Sequence, residues 1–419
     1  MIYVKRKGGL HVGEQKRKHR ETLVIGAGPV GMTAALALRH AGIEVAILEA
    51  EPQDRIRPGS RAIFFHNATL RLLEEISPGL GFAFAEKGII WGTKRTLYRG
   101  KEVYVRHYPE PAAGELPHFT SLHQSVIEGI LYQACVAAGV EFGWNQPVDS
   151  LATSATGVSV VTEGGDQWSA EYVIGADGGR SVVRREIGAE LVGPRSHDTF
   201  VVVDLKEDME KPLPIERVFH YQHPAMDGRN VLYVPFQGGW RVDLQLLADD
   251  DEETYGTVTG VKQWLPRVID KKYADRISWV SAYRFHQAVS NTFTDEHRRV
   301  LLAGEAAHLF APFGARGFNS GVPDAVLAAR AIASARRAVS HEEAERAVLA
   351  AAEERQFAAE YNRDCAAIAL EHIQGNSPEM SAKRELAASL ASIVPGLGKW
   401  LDEGPYGPKV NHARMSTKY

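Results

Sequence analysis

The hydrophobic pattern becomes regular at Thr22. Thr22-Leu23-Val24-Ile25 is short, apolar and β-prone, as a strand buried on both faces should be. A glycine-rich turn follows, then an Ala- and Leu-rich helix from Met32 to Ala41, closed by Gly42. Glu44 to Leu48 predicts a second strand, ending at Glu49, so the chain opens with a complete βαβ unit. Helical spacing is expected over Arg61–Leu73, strand alternation over Gly88–Arg106, and a helix over Ser121–Ala138 with Val126, Ile127, Ile130 and Leu131 inward. Val158–Val161 and Glu171–Ile174 frame Gly164-Gly165-Asp166, a hairpin signal. Four strands are then expected in a row, at Thr199–Leu205, Glu216–Tyr221, Val231–Phe236 and Arg241–Leu247, with a fifth at Ile277–Phe285. Arg299–Ala303 returns to the buried-strand pattern, and Val322 to about Leu370 is Ala-rich and helical. The fold class expected is α/β: a Rossmann-like domain interrupted by a mainly antiparallel β-sheet domain and followed by a helical C-terminal region.

The expected division is a basic leader over 1–21, a first part of the nucleotide-binding domain at 22–87, and a first part of the inserted domain at 88–118. Second parts follow at 119–196 and 197–286, a third nucleotide-binding part at 287–340, and the helical region at 341–419. The first twenty residues of the leader carry Lys5, Arg6, Lys7, Lys16, Arg17, Lys18 and Arg20 against Glu14 alone. It has no interleaved aromatics, so a solvated arm or an early start codon explains it better than an anionic partner.

With 48 basic and 52 acidic side chains in 419 residues, the net charge of −4 gives no global argument for nucleic acid or membrane binding. Two cysteines, Cys135 and Cys365, form no disulfide framework and point to the cytoplasm. Both fall on helices and read as packing. No apolar run reaches membrane-spanning length, and no signal peptide is visible.

The chemistry begins at Gly26-Ala27-Gly28-Pro29-Val30-Gly31. Gly26 permits the tight strand-to-helix turn, Gly28 lets a pyrophosphate approach the backbone, and Gly31 lets helix and strand pack closely. The phosphates would sit on the helix N-terminus. Glu49, 23 residues beyond Gly26, is placed to accept bonds from ribose hydroxyls. FAD and NAD both use this opening. Two later segments bear on the choice: Val173-Ile174-Gly175-Ala176-Asp177-Gly178-Gly179-Arg180-Ser181 and Leu301-Leu302-Ala303-Gly304-Glu305, the latter followed by Ala311-Pro312-Phe313-Gly314-Ala315-Arg316-Gly317-Phe318-Asn319.

With these three motifs in this order, the sequence from Thr22 to Arg337 resembles the single-component flavoprotein aromatic hydroxylases, the p-hydroxybenzoate hydroxylase-like class A family. The resemblance implies FAD as cofactor, NADPH or NADH as co-substrate, and O2 plus a small aromatic molecule as substrates. It implies hydroxylation of a phenolic or heteroaromatic ring through a C4a-hydroperoxyflavin. It places Asp177 and Gly178 at FAD and NAD(P)H, Gln124 and Arg61 at the flavin, Pro312 against its ring, and Gly317, Phe318 and Asn319 beside its pyrimidine edge. Glu305 takes the position of the acid on the ribityl chain, where the family has Asp. Asn319 to Val322 is expected to open a long helix whose N–H groups face that pyrimidine edge.

On the substrate side, Arg241, Asp243 and Gln245 alternate and share one face of a strand. The resemblance sets Arg241 near the flavin and Asp243 and Tyr233 near the substrate, where a Tyr, His or Asp could accept a phenolic proton. The plainer alternative is that Asp243 and Gln245 face water. His220, Gln222 and His286 are secondary candidates, and His308 reads as structural. No metal site is expected. Other readings are a redox sensor, or a reductase or halogenase on the same fold, although the halogenase Trp-x-Trp-x-Ile-Pro signature is absent. The thioredoxin-like extension of some relatives is not expected here. A monomer or homodimer fits equally, and the substrate and the choice between NADH and NADPH stay open.

Overall fold

A computed structural model describes residues 18–55 and 62–408. Arg61, one of the expected flavin contacts, lies outside them.

Five parallel strands form the first layer. Lys18–Ile25 lies between Val45–Leu48 and Gln167–Gly175. Glu141–Gly143 extends one side, and Val300–Leu302 pairs with Gln167–Gly175 on the other. Their centres are apolar because helices cover both faces: every residue of Val45–Leu48 is buried. The hairpin Gly157–Thr162/Gln167–Gly175 and the strand Val148–Ser154 extend the sheet antiparallel.

The first strand starts at Lys18, four residues before the expected boundary. Lys18, His19 and Arg20 pair in register with Trp168, Ser169 and Ala170. Lys18 Nζ sits 4.7 Å from the Trp168 ring centroid, and Arg20 Nε donates to Glu141 at 2.7 Å. These charges mark the exposed end of a strand. Residues 1–17 of the expected leader lie outside the described residues.

A second correction concerns the expected helix over Arg61–Leu73. Ala62–His66 is a strand paired with Phe119–His123, and the helix spans Asn67–Ile76. The helix Gln124–Ala137 buries Ile127, Leu131 and Cys135 but leaves Val126 exposed.

The other large sheet has the order Ile277–His286, Arg195–Lys206, Gly239–Gln245, Val231–Phe236, Glu216–Tyr221, Thr93–Tyr98, Lys101–His107. Its two faces differ. One carries Val201, Val203, Val231, Val242 and Leu244 and packs on Val261, Trp264, Leu265 and Tyr273. The other carries Tyr98, Phe200, Phe219 and Tyr221 and meets Phe313 and the C-terminal helices through Ala366, Ala369 and Leu370. Those helices are Arg316–Arg337, His341–Gln374, Pro378–Leu390 and Pro395–Glu403. Among the described residues no helix is long and apolar enough to cross a membrane, and no acidic, His and Cys side chains cluster as a metal site.

Candidate active site

The glycine turn is built for close approach. Gly26 has φ +103, and a Cβ there would lie 2.5 Å from Ala176 O. A Cβ at Gly31 would lie 1.9 Å from Gly26 O, so only glycine lets the helix Pro29–His40 start so near its strand. Gly28 caps that helix, with Pro29 as its first residue. Glu49 ends the second strand and is buried. Its Oε2 accepts from Ala27 N at 2.6 Å and its Oε1 from Glu51 N at 3.1 Å. Arg55 bridges outward: Nη2 donates to Ala27 O at 2.9 Å, Nη1 lies 3.8 Å from Glu49 Oε2, and Nη2 lies 3.9 Å from Glu128 Oε2. Glu128 in turn accepts from Gln124 Nε2 at 2.7 Å. Gly26, Gly28, Gly31, Glu49 and Gln124 thus converge on one site, although they span a hundred residues of chain.

Asp177 does different work from that expected. Its carboxylate accepts from Ser181 Oγ at 2.5 Å, Val182 N at 2.7 Å and Val183 N at 3.1 Å. With Ser181 as N-cap, it holds the first turn of the short helix Val182–Glu186. Burial pushes its carboxyl above the usual carboxylate range, against these bonds. Gly178, at φ +79, gives the turn its left-handed step. Arg184 completes the segment by donating to Gly179 O at 2.9 Å and Ala306 O at 2.8 Å. The Asp-Gly segment is thereby tied to the Gly-Glu segment.

Glu305 is exposed in the one-turn helix Gly304–Ala306. Beneath it Asp324 accepts from Gly304 N at 3.0 Å and Arg355 Nε at 2.7 Å, and lies 2.6 Å from His308 Nε2. Asp324 is fully buried, yet the His308 and Arg355 charges hold its carboxyl below the usual range. His308 is therefore a support of the loop, stacked on Phe310 at 4.5 Å. Val30 fits between the two cofactor-side elements: a Cβ at Gly304 would lie 2.9 Å from it, and one at Gly321 2.5 Å.

The long helix starts at Arg316, three residues before the expected Asn319. Its first free N–H groups are those of Arg316, Gly317 and Phe318. The exposed Pro312 and Gly317 border this start. Phe318 packs its ring on Phe65 at 5.2 Å, which leaves its backbone N–H at the helix start. Asn319 is buried with its amide fully used. Oδ1 accepts from His66 N and Thr69 Oγ1, and Nδ2 donates to Phe64 O and Ala315 O. Its side chain fastens the 62–69 segment to the helix and has no bond left for a flavin.

On the inserted sheet, Arg241, Asp243 and Gln245 share the inner face, as the alternation requires. Arg241 is clamped by Asp204, with Nε 3.0 Å from Oδ1 and Nη2 3.3 Å from Oδ2. Gln245 accepts from Asn230 at 2.5 Å. Asp243 is different. Among the described residues its Oδ1 has no hydrogen-bond partner, and it is buried beside a hollow formed with Phe200, Phe219, Leu232, Asn230 and Phe313. Burial pushes its carboxyl up to about 7, with Arg241 and Arg217 pulling down and Asp204 pushing up. Tyr233 does not join this group. It pairs with Val242, so it lies on the opposite face, and its hydroxyl donates to Val268 O at 2.7 Å. His220 is likewise committed, accepting from Gly100 N at 3.0 Å.

One residue escaped the sequence reading. Arg217 is buried on the inner face, and its Nη1 has no hydrogen-bond partner among the described residues. The signal was present: Arg217 shares parity with Phe219 and Tyr221 in Glu216–Tyr221.

Known proteins resemble this arrangement along most of the chain. A 3-(3-hydroxy-phenyl)propionate/3-hydroxycinnamic acid hydroxylase of Mycobacterium avium (strain 104) is 26% identical over 404 residues, covering 93% of this chain and 67% of the relative. The para-nitrophenol 4-monooxygenase of Pseudomonas sp. (strain WBC-3) is 28% identical, with 74% of this chain and 77% of the relative covered. The solved p-nitrophenol 4-monooxygenase of Pseudomonas putida DLL-E4 superposes with a TM-score of 0.75 at 22% identity, over 94% of this chain and all of that one. The family described as FAD binding domain matches residues 19–363. That span contains the glycine turn, Glu49, the Asp-Gly and Gly-Glu segments and the start of the long helix, and the chain belongs to the FAD binding domain family.

Proposed function

We propose that this chain, an FAD-dependent monooxygenase, hydroxylates a phenolic or heteroaromatic ring held between the Pro312 loop and the inner face of the inserted sheet, with Asp243 receiving the phenolic proton. The observation that carries this reading is Asp243 itself: an unpartnered buried carboxylate oxygen among aromatic side chains, facing Phe313 of that loop.

The residues present fit FAD. The Gly26 turn and the start of Pro29–His40 offer backbone N–H groups to a pyrophosphate, with no Cβ in the way. Glu49 is anchored by Ala27 N and Glu51 N and accepts ribose hydroxyls. The free N–H groups of Arg316, Gly317 and Phe318 favour negative charge at the far end of the cofactor. When bound, FAD supplies electron transfer from NAD(P)H and activation of O2.

The protein's own part is to orient and to exclude water. Phe200, Phe219 and Phe313 give an apolar wall that shields the ring from solvent. A carboxylate raised to about 7 is a stronger proton acceptor than an ordinary one and is ionised above that pH, so Asp243 there takes a phenolic proton. Arg241, fixed by Asp204, holds positive charge beside it.

The test is direct. Purified protein is examined for a flavin spectrum, and NADPH and NADH oxidation is followed with hydroxybenzoates, hydroxyphenylpropionates and hydroxypyridines. Yellow protein, substrate-stimulated oxidation and an oxygenated product are expected. Protein that cannot be reconstituted with FAD, or oxidation that no phenol stimulates, overturns the reading.

A further inference from the structure

The strand Ile277–His286 ends its sheet. It pairs with Arg195–Lys206 on one side and with no strand on the other among the described residues. Every second residue of it turns its backbone N–H and C=O outward, where a further strand can bond them. Such edges are usually blunted by charge, proline or a bulge. Here residues 277–283 include no charged residue, proline or glycine. The ladder to Arg195–Lys206 runs in register from Trp279 to Arg284, with shifts only outside that stretch. Trp279, Val280, Ser281, Ala282 and Tyr283 are half-buried, so the described layers of the chain stop short of covering the edge.

The side chains of this edge read alike in both directions from Ser281. Trp279 and Tyr283 flank it on the inner face, with Tyr283 directly opposite Phe200. Val280 and Ala282 flank it on the other face, and the polar Ser278 and Arg284 follow. An antiparallel pair of two such strands, centred on Ser281, sets Trp279 against Tyr283 twice and Val280 against Ala282 twice. The charges at the two ends also match. The first end lies beside Lys206, whose N donates to Arg276 O at 2.8 Å and whose exposed side chain has no ion pair among the described residues. Lys272 and Arg276 there share Asp208, at 2.9 and 3.3 Å. The second end lies beside the run Asp249-Asp250-Asp251-Glu252-Glu253, where Glu252 meets Arg284 at 3.1 Å. Antiparallel pairing brings this acidic run of each copy alongside Lys206 of the other.

We propose that a second copy of this chain pairs with the first along Ile277–His286, antiparallel and centred on Ser281, so that the two inserted sheets become one continuous sheet. The partner's Trp279 then lies against Tyr283, which stands opposite Phe200 of the hollow beside Asp243. Each copy thereby extends the aromatic wall of the other's site. Asp243, Val202 and Ser281 stand in one row across their strands. The two copies of Asp243 therefore come about five strand spacings apart, roughly 24 Å, on one face of the joined sheet.

Sedimentation velocity of the FAD-loaded chain from about 1 to 100 μM tests this, and a dimer is expected within that range. Ser281→Lys and Ser281→Glu each set like charges against one another at the two-fold axis. Each is expected to raise the dimer dissociation constant on the order of 100-fold while keeping the flavin spectrum. An equimolar mixture of the two variants sets Lys against Glu and should return the constant to within about tenfold of the unsubstituted chain. Recovery in the mixture requires that residue 281 face its own copy. Hydrogen exchange of the unsubstituted protein needs no variant to fold: protection of residues 278–284 should rise with protein concentration. A chain that stays monomeric to about 100 μM overturns the proposal. So does a dimer that both variants leave intact, or a mixture that does not recover. Protection independent of concentration would mean that a segment of the same chain covers the edge, and protection only with an added protein would mean a foreign strand. Either result overturns pairing with a second copy.

Discussion

Replacing Asp243 by Asn separates its cost to the fold from its use in chemistry. The side chain keeps its shape and loses its charge. In the folded protein the carboxyl is raised from 3.8 to about 7, chiefly by burial, with Arg241, Arg217 and Asp204 the charged groups that face it. A carboxyl with a folded pKa above its unfolded value binds its proton more tightly when folded. Wild-type stability therefore falls as pH rises from about 4, and the loss is complete above about 7. Three decades of pH correspond to about 4 kcal/mol as an upper bound, and partial exposure of the residue brings this to about 2. For a chain of this length, 1 kcal/mol moves Tm by roughly 1 °C. D243N is therefore expected to melt about 2–4 °C above wild type at pH 8.5 and within 1 °C of it at pH 4.5. Thermal melts of the FAD-loaded proteins at both values measure this. In turnover the sign reverses. Wild-type kcat should rise through about pH 7 as the acceptor ionises, whereas D243N should be flat and about 100-fold lower. An identical Tm difference at the two pH values would refute the buried-carboxyl argument, and an unchanged kcat profile would remove Asp243 from the chemistry.

Gly31→Ala drives a methyl into Gly26 O, so a loss of about 3 kcal/mol and failure to retain FAD are expected in melts and absorbance spectra; a yellow protein of wild-type Tm would contradict the close-approach geometry. Glu49→Ala removes the acceptor that organises Ala27 N and the ribose site, and FAD affinity measured by fluorescence titration should weaken about 100-fold. Equal affinity would mean that the adenosine half is held elsewhere. Tyr233→Phe deletes only the bond to Val268 O; stability should fall by about 1 kcal/mol with kcat unchanged, and a tenfold fall in kcat would return Tyr233 to the substrate face.

The sequence carried most of this architecture where one physical constraint dominates. Strands buried on both faces announce themselves by unbroken apolar runs, as Val45–Leu48 does, and among the alternating strands of the inserted sheet Glu216–Tyr221 and Val231–Phe236 match the expected limits residue for residue. The glycine turn was legible because three separate steric demands fall on three fixed positions. Lys18–Glu21 was missed because exposed strand ends look like solvated tails until Trp168 is seen beside them. Ala62–His66 is too short and too apolar to distinguish strand from helix by period. Tyr233 was set near the substrate by resemblance alone, whereas its register with Val242 turns it to the opposite face. The internal hydrogen bonds of the Asn319 and Asp177 side chains were not legible, because they are set by tertiary neighbours such as His66, Thr69 and Val183. Arg217 was overlooked because the absence of a hydrogen-bonded acid beside it, among the described residues, is a property of the whole sheet and tail.

The buried Arg316 at the head of the long helix also sets a timetable for folding. Its guanidinium donates to Asn362 at 2.8 Å, Tyr406 O at 2.9 Å and Pro408 O at 2.6 Å, across 46, 90 and 92 residues of sequence. The helix start proposed to meet the cofactor is thus finished only when the 400s have docked. Contacts of such long range are slow to form, and a partly synthesised chain can close its glycine turn well before it can close this end. Refolding experiments should accordingly show the first βαβ unit protected from hydrogen exchange earlier than residues 312–318, with FAD retention following the later step.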